Sequence, residues 1–578
     1  MTNVAPGVCA IKAEFIIQRP DKCNNVQESE TSLKRKLDSE NGYKEEKIKH
    51  EEPPYKNKKR GQNKARPKTF KDEIQNKPCP RILDVSTSDE EKKCQFTNCK
   101  YIHNALDYLK VKPPDIGEKC RLFDIRGRCP RGIACRFGSC HITPEGFNIT
   151  DNSKIKEWKD DTKNTLQNSI QIQLQKKKYN FSLAENIVKS FIKNTQKIDP
   201  TNDNKHDNSG TITDEDLIKL NSREKKKIDW RDKLYLSPLT TVGNLPFRRI
   251  CKDFGVDITC GEMALCEPLL KGLKQEWALV KRHECEDLFG AQICGTNAYI
   301  ITKVAQLLQE NTELDFIDLN LGCPIDLIYK KGGGCGMMHR LPGLEASIKS
   351  ASKLLDIPFT AKIRTGVYQD KKIAHTIIPK MFEWGVSLVT LHGRSREARY
   401  TRSADWEYIE NCAKAVTPNP VFGNGDILSY EDYIQKREVA PSTQGVMIGR
   451  GALIKPWIFT EIKEQKIWDI SSKERFEIIK KFTNYGLEHW GSDTQGIENT
   501  RRFLLEWLSF LYRYVPVGLL ERPPQKINER PPTYIGRDDL ETLMASSNCS
   551  DWVKISEMFL GPVPDGFVFL PKHKANSY

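Results

Sequence analysis

Short apolar runs recur between residues 234 and 448, separated by longer stretches in which apolar and polar residues mix. Each run has the length of a buried strand, and each interval has room for a helix. The runs are Leu234–Ser237, Val256–Cys260, Ala291–Cys294, Phe316–Asn320, Phe359–Ile363, Ser387–Leu391, Pro420–Phe422 and Gly445–Ile448. Alternating strands and helices predict a parallel sheet, and eight repeats predict an α/β fold of the (β/α)8 TIM barrel type. A doubly wound open sheet is the alternative, although no Gly-x-Gly-x-x-Gly motif follows an early run.

Both flanks of this region have other patterns. Lys473–Trp490 and Thr500–Tyr514 have helical periodicity with basic residues among apolar ones, which predicts a small helical domain with one face open to an anion. On the amino-terminal side, Leu174–Lys193 has a helical pattern. The chain therefore divides into a disordered basic tail (1–76), a cysteine-rich segment (77–145), a linker with a helical segment (146–229), the barrel (230–462), the C-terminal helical domain (463–548) and an irregular C-terminal tail (549–578).

The charge balance points to a polyanionic partner. The chain has 91 Lys and Arg against 77 Asp and Glu, a net charge of +14. Nucleic acid is the first candidate for a partner of such a chain. Eight basic residues and no acidic residue lie between Lys56 and Lys71. This run is either a solvated tail or a segment for RNA contact or nuclear import. No apolar run reaches about 18 residues, so we expect no membrane span.

The chain has 18 cysteines. The segment Met1–Pro20 lacks the basic start and apolar core of a secretion signal. We therefore expect the cysteines in a reducing compartment, the cytoplasm, the nucleus or both, where they serve as metal ligands, catalytic thiols or buried residues rather than disulfides.

Six of these cysteines, with two histidines, have the spacing of zinc ligands. The two sets are Cys79-x14-Cys94-x4-Cys99-x3-His103 and Cys120-x8-Cys129-x5-Cys135-x5-His141. Residues 77–145 are too few and too polar to fold on an apolar core, so each set predicts a CCCH zinc finger folded by Zn2+. In the second set, Cys140 could replace His141 as the fourth ligand.

Aromatic and basic side chains lie among these ligands. They are Phe96, Lys100 and Tyr101 in the first finger, and Arg121, Phe123, Arg136 and Phe137 in the second. Bases of single-stranded RNA stack on such rings while cations hold phosphates, which predicts RNA binding. A purely structural zinc module that binds protein is the alternative.

The segment Asp315–Pro324 combines a buried strand with a reactive residue type. The strand runs directly into Leu-Gly-Cys-Pro, and Pro324 cannot continue a ladder. Cys323 therefore lies on a turn at the carboxyl end of a strand, where parallel α/β folds keep their chemistry. An inert buried cysteine is the alternative. The glycines of Lys330–Gly336 predict a mobile loop that closes over a phosphorylated ligand.

Polar residues also end or follow other predicted strands: Gln292, Lys362, His392 and the turn Asn424–Asp426. Their strand ends would meet at the mouth of the barrel. Glycine-rich turns after the seventh and eighth strands predict a phosphate site on backbone amides, with Arg450 adding a bidentate contact. A phosphate on one side and Gln, Lys and His on the other fit FMN, with Lys362 or His392 near N1 and O2 of the flavin.

Eight motifs taken together resemble the tRNA-dihydrouridine synthases. They are Ser237-Pro-Leu-Thr240, Ala291-Gln-Ile-Cys-Gly295, Asn320-Leu-Gly-Cys-Pro324, Gly332-Gly-Gly-Cys-Gly336, Lys362-Ile-Arg-Thr-Gly366, Leu391-His-Gly-Arg394, Gly423-Asn-Gly-Asp426 and Gly449-Arg-Gly451. The resemblance extends from about Leu234 to the tail. The tandem fingers and Arg530-Pro-Pro-Thr-Tyr-Ile-Gly-Arg537 are similar to the eukaryotic zinc-finger branch of that family.

The resemblance implies an FMN-containing barrel and a helical tRNA-binding domain. Such an enzyme reduces the C5–C6 double bond of a variable-loop uridine (position 47) in tRNA with NADPH, and Cys323 is its implied proton donor. The residues implied to bind FMN are Pro238, Leu239, Thr240, Gln292, Lys362, His392, Asn424, Gly425, Asp426, Gly449 and Arg450. Messenger RNA stays open as a second substrate.

Two other functions compete with this interpretation. A flavoenzyme that reduces a free pyrimidine or another small enone would use the same site, but the fingers and the basic tail argue against it. A catalytically idle RNA-binding protein on a barrel scaffold would not need Cys323, Lys362 and His392 together.

Overall fold

A computed structural model describes residues 67, 70–71, 73–85, 94–157, 161–196, 225–398, 400, 402–520, 524, 526, 529, 531–564 and 566–572. The predicted disordered basic tail and its run of basic residues lie almost wholly outside these ranges. The same is true of Arg530, whose motif is described only from residue 531 onward.

Eight parallel strands form the closed barrel that the apolar runs predict. They are β1 Leu234–Leu236, β2 Ile258–Cys260, β3 Leu288–Cys294, β4 Phe316–Leu321, β5 Phe359–Arg364, β6 Leu388–His392, β7 Val421–Asn424 and β8 Gly445–Ile448. Each strand pairs with its neighbours in chain order, and β8 pairs with β1 to close the ring. All eight predicted runs overlap a strand, so the (β/α)8 fold is confirmed.

Helices form the outer layer of the barrel. They are Leu245–Asp253 after β1, Cys266–Leu270 and Lys274–Trp277 after β2, Ala298–Asn311 after β3, Asp326–Lys330 and Leu341–Leu354 after β4, Ala374–Glu383 after β5, Trp406–Ala415 after β6, Tyr430–Val439 after β7, and Arg450–Ile454 and Ile458–Glu464 after β8. Four begin at a side chain that accepts a hydrogen bond from the first turn: Asn244, Asn297, Asp405 and Ser429. These caps satisfy amides that a helix leaves unpaired, so local sequence fixes where each helix begins.

The inside of the barrel changes from apolar to polar along the strands. At the amino-terminal end, the Trp230 ring contacts Phe316 and Phe422 edge-on, with centroids 5.7 and 6.5 Å apart, and Tyr235 contacts the same two rings. These aromatic residues fill the base, together with Ile258, Cys260, Leu388 and Met447. Because every second residue of a strand faces inward, Asp318 and Asn320 follow Phe316 along the inner face of β4. Polar side chains therefore collect at the carboxyl end.

Four further helices form the C-terminal helical region: Ser472–Trp490, Thr494–Leu511, Asp539–Met544 and Cys549–Leu560. The first begins at a capping box between Ser471 and Glu474. The predicted irregular tail is wrong for residues 549–560, because the helix there buries Trp552 against the Tyr512 ring at 5.5 Å. Among the helices within the described ranges, none is long and apolar enough to cross a membrane.

The second long helix of this region begins earlier than predicted, at Thr494 rather than Thr500. Gly496 lies in the additional turn. A side chain there would collide with the carbonyl of Gly491, so this glycine marks a close approach of backbone rather than a helix break.

The cysteine-rich segment has little regular structure. Its helices are short: Ile74–Asn76, Ala105–Val111, Arg121–Arg126, Gly132–Ala134 and Gly138–Cys140, followed by Asn152–Glu157. The two predicted fingers share a small core in which Tyr108 of the first contacts Ile133 and Ala134 of the second. The amide of Ile133 also donates to the carbonyl of Leu83. The two fingers therefore form one packed unit.

Two elements of the linker, a helix and a short strand, pack against the barrel. The sequence pattern predicted neither of them with the bounds that the structure shows. The expected helix Leu174–Lys193 is two helices, Asn168–Gln175 and Ser182–Gln196, and the second lies against the barrel helices Ala298–Asn311 and Leu341–Leu354. Thr162–Lys163 also pairs antiparallel with Arg282–His283. Lys177 has a positive φ of 54°, which interrupts the helix between its two parts.

A substitution of Trp230 tests whether aromatic packing at the base of the barrel stabilises the fold. Replacing Trp230 with Ala would leave a cavity between Phe316 and Phe422, so we expect a loss of about 3–5 kcal/mol in the free energy of unfolding. The measurement is chemical denaturation of the full chain. As a control, Val439→Ala at an exposed position should change stability by less than about 0.5 kcal/mol. Equal stability of the Trp230 variant and this control would contradict the account.

Candidate active site and metal centres

A chain of buried hydrogen bonds crosses three strands at the mouth of the barrel. Thr360 Oγ1 and Gln292 Nε2 each donate to one carboxylate oxygen of Asp318, at 2.7 Å in both cases. Asn320 Nδ2 donates to Gln292 Oε1 at 2.8 Å. Asp318, Gln292 and Thr360 are each 1% exposed. Since an unpaired polar group at such depth costs on the order of 1–3 kcal/mol, these bonds fix the amide orientations of Gln292 and Asn320.

The fixed orientation of Asn320 in turn fixes the backbone of the turn that carries Cys323. Its Oδ1 accepts hydrogen bonds from the amides of Gly322 at 3.2 Å and Cys323 at 2.9 Å. Arg364 Nε holds the turn from the other side by donating to the Gly322 carbonyl at 2.8 Å. The turn that carries the thiol is therefore attached to the buried network of β3, β4 and β5.

The glycine loop after this turn is packed rather than open. Gly334, Cys335 and Gly336 are buried in the short helix Gly334–His339. Gly334 has a φ of 53°, and a Cβ there would lie 3.0 Å from the Cβ of Cys323. The close approach to Cys323 is therefore the reason for a glycine at position 334. The expectation of a mobile loop that closes over a phosphorylated ligand stays a prediction.

Burial makes the Cys323 thiol a weak acid. The side chain is 8% exposed, and desolvation raises the pKa of Cys323 above its usual value, against smaller opposing effects of the Ile325 amide and Arg364. A raised pKa means that the thiol is protonated at neutral pH. Burial likewise raises the pKa of Asp318, while hydrogen bonds from Gln292 and Thr360 oppose this shift.

Lys362 and His392 differ in their charge state. Burial, then repulsion from Arg364, lowers the pKa of Lys362 to about 8. Burial and the neighbouring Arg364 and Lys362 lower the pKa of His392 well below its usual value, so His392 is neutral. Lys362 Nζ donates to Asn424 Oδ1 at 3.3 Å. Of the two residues proposed to face N1 and O2 of a flavin, Lys362 is therefore the cation.

An ion triad lies beside them. Asp426 accepts hydrogen bonds from Arg394, at 2.6 and 2.7 Å to its two oxygens, and from Arg450 NH2 at 2.6 Å. Its carboxylate is thus occupied by two guanidinium groups, and Asp426 orients Arg450. The Tyr400 ring lies over both arginines, 5.2 Å from Arg394 and 4.9 Å from Arg450.

The turn after β1 completes this end of the barrel. Pro238 and Leu239 are half-buried, and Thr240 is exposed. The space beside Gly449, where a side chain would begin, lies 3.6 Å from Ser237 and 3.7 Å from Leu239. The loops after β1 and β8 are therefore adjacent. All the sequence-predicted cofactor residues lie at the carboxyl ends of the barrel strands or on the turns that follow them.

This arrangement fits FMN by the chemistry of its donors. Buried amides and a cation at the mouth suit the polar edge of a flavin, and the turns around Gly425 and Gly449 with Arg450 suit its phosphate. Sequence reasoning missed four residues of the site: Asp318, Asn320, Thr360 and Arg394. Their signal was present, since Asp318, Asn320 and Thr360 fall on the inward-facing positions of their strands.

The two sets of predicted zinc ligands are each gathered in space. Cys79, Cys94, Cys99 and His103 form one group and Cys120, Cys129, Cys135 and His141 the other, with all ligand atoms of a group within 4.8 Å of one another. Cys120 Sγ and Cys135 Sγ are 3.6 Å apart. Two thiolates on a tetrahedral Zn2+ with bonds of about 2.3 Å lie about 3.8 Å apart, so the spacing fits zinc.

His141, not Cys140, completes the second group. Asn148 donates its amide hydrogens to Asp84 and to the Cys129 carbonyl, so its Oδ1 accepts from His141 Nδ1 at 3.0 Å. That bond leaves His141 Nε2 as the ligand atom, and Nε2 is buried without a hydrogen-bond partner in the structure. Cys140 instead donates to the Phe137 carbonyl. The open choice of fourth ligand is thus decided by geometry.

The first group is more exposed than the second. His103 is exposed, Cys94 and Cys99 are half-buried, and Cys79 is buried. The backbone amide of Phe96, followed by His103, lowers the pKa of Cys94 to about 7. A thiol that ionises this readily suits a metal ligand, because zinc binds the thiolate.

Comparison with known proteins identifies a family whose domain covers the barrel and part of the helical region. A family model described as dihydrouridine synthase (Dus) matches residues 235–509. A protein of Xenopus laevis named tRNA-dihydrouridine(47) synthase [NAD(P)(+)]-like is 54% identical over 90% of this chain and 83% of its own length. The protein of that name from Homo sapiens is 51% identical over 90% and 84%. The tRNA-dihydrouridine(47) synthase [NAD(P)(+)] of Coprinopsis cinerea is 37% identical over 100% and 99%.

Asn148 provides a test of the second metal centre. Replacing Asn148 with Ala would free His141 from its fixed orientation, and loss of such a support weakens metal binding by about 10–100-fold. The measurement is a competition for zinc with a chromophoric chelator. The first site is the internal control, because one zinc per chain should become easier to remove while the other is unchanged. Unchanged removal of both would contradict the assignment of His141 Nε2.

Proposed function

This chain belongs to the dihydrouridine synthase family, and we infer that it reduces the C5–C6 double bond of uridine 47 in the variable loop of tRNA, with NADPH as reductant and FMN as cofactor. The observation that carries this proposal is the Cys323 thiol, buried on the turn after β4 at the mouth of the barrel, beside the strand β5 that carries Lys362. Burial raises the pKa of this thiol above its usual value. The names of the relatives, which state the tRNA position and a nicotinamide cofactor, support the same reaction.

The residues at the mouth divide the binding of FMN between its two ends. Arg450, fixed by Asp426, and the turns at Gly425 and Gly449 would hold the phosphate. Gln292, Lys362 and Asn424 would meet the polar edge of the ring system. When bound, FMN would supply to the uracil the hydride that it receives from NADPH.

Cys323 would supply the proton. A hydride at C6 of uracil leaves negative charge across C5 and O4, and a neutral thiol above the ring can protonate C5. Burial favours this role in two ways, because it keeps the thiol protonated before the reaction and favours its return to the neutral form afterwards. The uridine must first leave its stack in the RNA to reach the thiol.

Lys362 would stabilise charge rather than transfer a proton from solvent. With a pKa of about 8, its amine is mostly protonated at neutral pH, and a nearby anion would strengthen that protonation. Neutral His392 can serve only as a hydrogen-bond partner there. The neighbouring Arg364 already holds the Cys323 turn, so the cation and the acid are linked through one scaffold.

The zinc-binding unit and the helical region support an RNA substrate over a small one. The net charge of +14 favours an anionic partner more extended than a nucleobase. Phe96 of the first finger is 77% exposed and suits stacking on a base. A reductase of free pyrimidines would have no use for either feature, and an idle RNA-binding protein would not need the organised thiol.

The direct assay combines cofactor, turnover and product. Purified protein should contain FMN, oxidise NADPH when unmodified tRNA is present, and add two hydrogens to the variable-loop uridine, as read by mass spectrometry of the digested RNA. Reduction of free uridine at the same rate as tRNA would favour the small-enone reductase instead. Maps of dihydrouridine in cellular RNA with and without the protein would show whether messenger RNA is also reduced.

The role of Cys323 is tested by separating the two half-reactions. Cys323→Ala should leave reduction of the flavin by NADPH unchanged, because the thiol takes no part in it. Oxidation of the reduced enzyme by tRNA should slow by about 100- to 10,000-fold, the usual contribution of a positioned acid. Stopped-flow absorbance of the flavin measures both steps. Cys412→Ala, at a buried cysteine of an outer helix, is the control; full tRNA turnover by the Cys323 variant would refute the proton-donor role.

A further inference from the structure

The second zinc finger is joined to the turn between the helices Ser472–Trp490 and Thr494–Leu511. The amide of Arg136 donates to the Ser492 carbonyl at 2.8 Å, and Arg131 NH2 donates to the Trp490 carbonyl at 3.0 Å. Arg131 also lies against Gly491, where any side chain would collide with the guanidinium. This finger is therefore seated on the helical region by backbone contacts that a free module would lack.

Ser492 connects the same turn to the metal ligands. Its hydroxyl lies 3.1 Å from Cys135 Sγ and 3.6 Å from Cys129 Sγ. When these thiols are bound to zinc as thiolates, the hydroxyl can donate to them, an interaction that typically supports a metal site. Zinc bound there would thus stabilise the junction as well as the finger.

The aromatic rings of the second finger, Phe123 and Phe137, pack within the protein. Phe123 stacks on His141 with ring centroids 5.5 Å apart, and Phe137 is 9% exposed. Arg136 donates its Nε to the Pro114 carbonyl. Phe137 is therefore closed to bases, and Phe123 is half-buried with one face against His141, whereas Phe96 of the first finger is exposed.

A groove lies between the second finger and helix Ser472–Trp490. Lys119, Arg121 and Phe137 line one wall, and Lys480, Asn484 and Ser492 line the other. The groove has cations on both walls and no carboxylate among its lining residues. Lys480 is weakly engaged, since it pairs with Glu477 at 3.2 Å where both side chains are more than half exposed, and such pairs contribute at most about 1 kcal/mol. Arg121 is already paired, with its Nε 3.1 Å from Glu488, so the two lysines are the cations open to a ligand. Lys119 has no ion pair with any residue in the described ranges.

We propose that this groove binds the phosphate backbone of the RNA substrate, and that zinc in the second finger holds its two walls together. The inference rests on the proposed RNA substrate and adds a contact surface away from the barrel mouth. Phosphate is the favoured occupant because the polar groups facing the groove are cations and neutral hydrogen-bonding side chains, a set that matches a polyanion and reads no base sequence. Lys119 and Lys480 would each engage a phosphate from opposite walls.

The test neutralises the two lysines in the full-length holoenzyme. Lys119→Gln with Lys480→Gln should weaken binding of unmodified tRNA severalfold. The plot of log affinity against log salt should become less steep by about 1.5, since each phosphate contact contributes about 0.7–0.9 to that slope. Fluorescence anisotropy over a series of salt concentrations measures both. Zinc content and thermal unfolding should match the parent protein, because both lysines are exposed on the groove surface.

The matched control is Lys380→Gln with Lys414→Gln, the same charge change on two exposed barrel lysines. Its salt slope should equal that of the parent protein. If the groove variant had the same salt dependence of tRNA affinity as the parent protein, the proposal would be overturned. An acidic protein segment would then be the favoured occupant of the groove. Equal slope changes in both variants would also overturn it, since the effect would then be one of net charge. Dihydrouridine formation by the parent protein and by the Lys380/Lys414 control, measured in parallel, tells this failure from failure of the proposed function. Both should form dihydrouridine if the proposed function holds, whatever the salt slope of the groove variant.

Discussion

The buried carboxylate of Asp318 is the constraint around which the candidate active site is arranged. A closed barrel brings inward-facing positions of neighbouring strands together, so the Asp318 carboxylate on β4 meets Gln292 of β3 and Thr360 of β5. At 1% exposure, the carboxylate cannot be left with unsatisfied oxygens. Its donors therefore adopt one orientation, and Gln292 fixes Asn320, which in turn fixes the Cys323 turn.

The same arrangement explains why the protein can hold an acid and a cation near each other. Cys323 lies on the turn after β4 and Lys362 lies on the adjacent strand β5. Burial disfavours the charged form of both side chains, which is the thiolate of Cys323 and the ammonium of Lys362. Desolvation keeps the thiol protonated and lowers the pKa of the amine towards neutrality. Apolar packing below, around Trp230 and Phe316, excludes water from the barrel base and maintains these shifts.

Much of this fold could be predicted from the sequence because its signals are local. Apolar runs located all eight strands, and ligand spacing located both metal groups. Strand alternation gives the inward position of Asp318, but its partners could not be read from the sequence, because Gln292 and Thr360 lie on neighbouring strands. The choice of His141 over Cys140 depends on Asn148, and the seat of the second finger depends on Ser492, more than 350 residues away in the chain.

The central claim is that Cys323 acts as a protonated acid. The direct measurement is the pKa of this thiol in the FMN-loaded enzyme, from 13C NMR of cysteine-labelled protein titrated with base and assigned by comparison with Cys323→Ala. The account predicts a pKa above the usual value of a cysteine thiol, so that the thiol signal does not change across the neutral range. A thiolate signal at neutral pH would contradict it, since an ionised sulfur has no proton to give to C5.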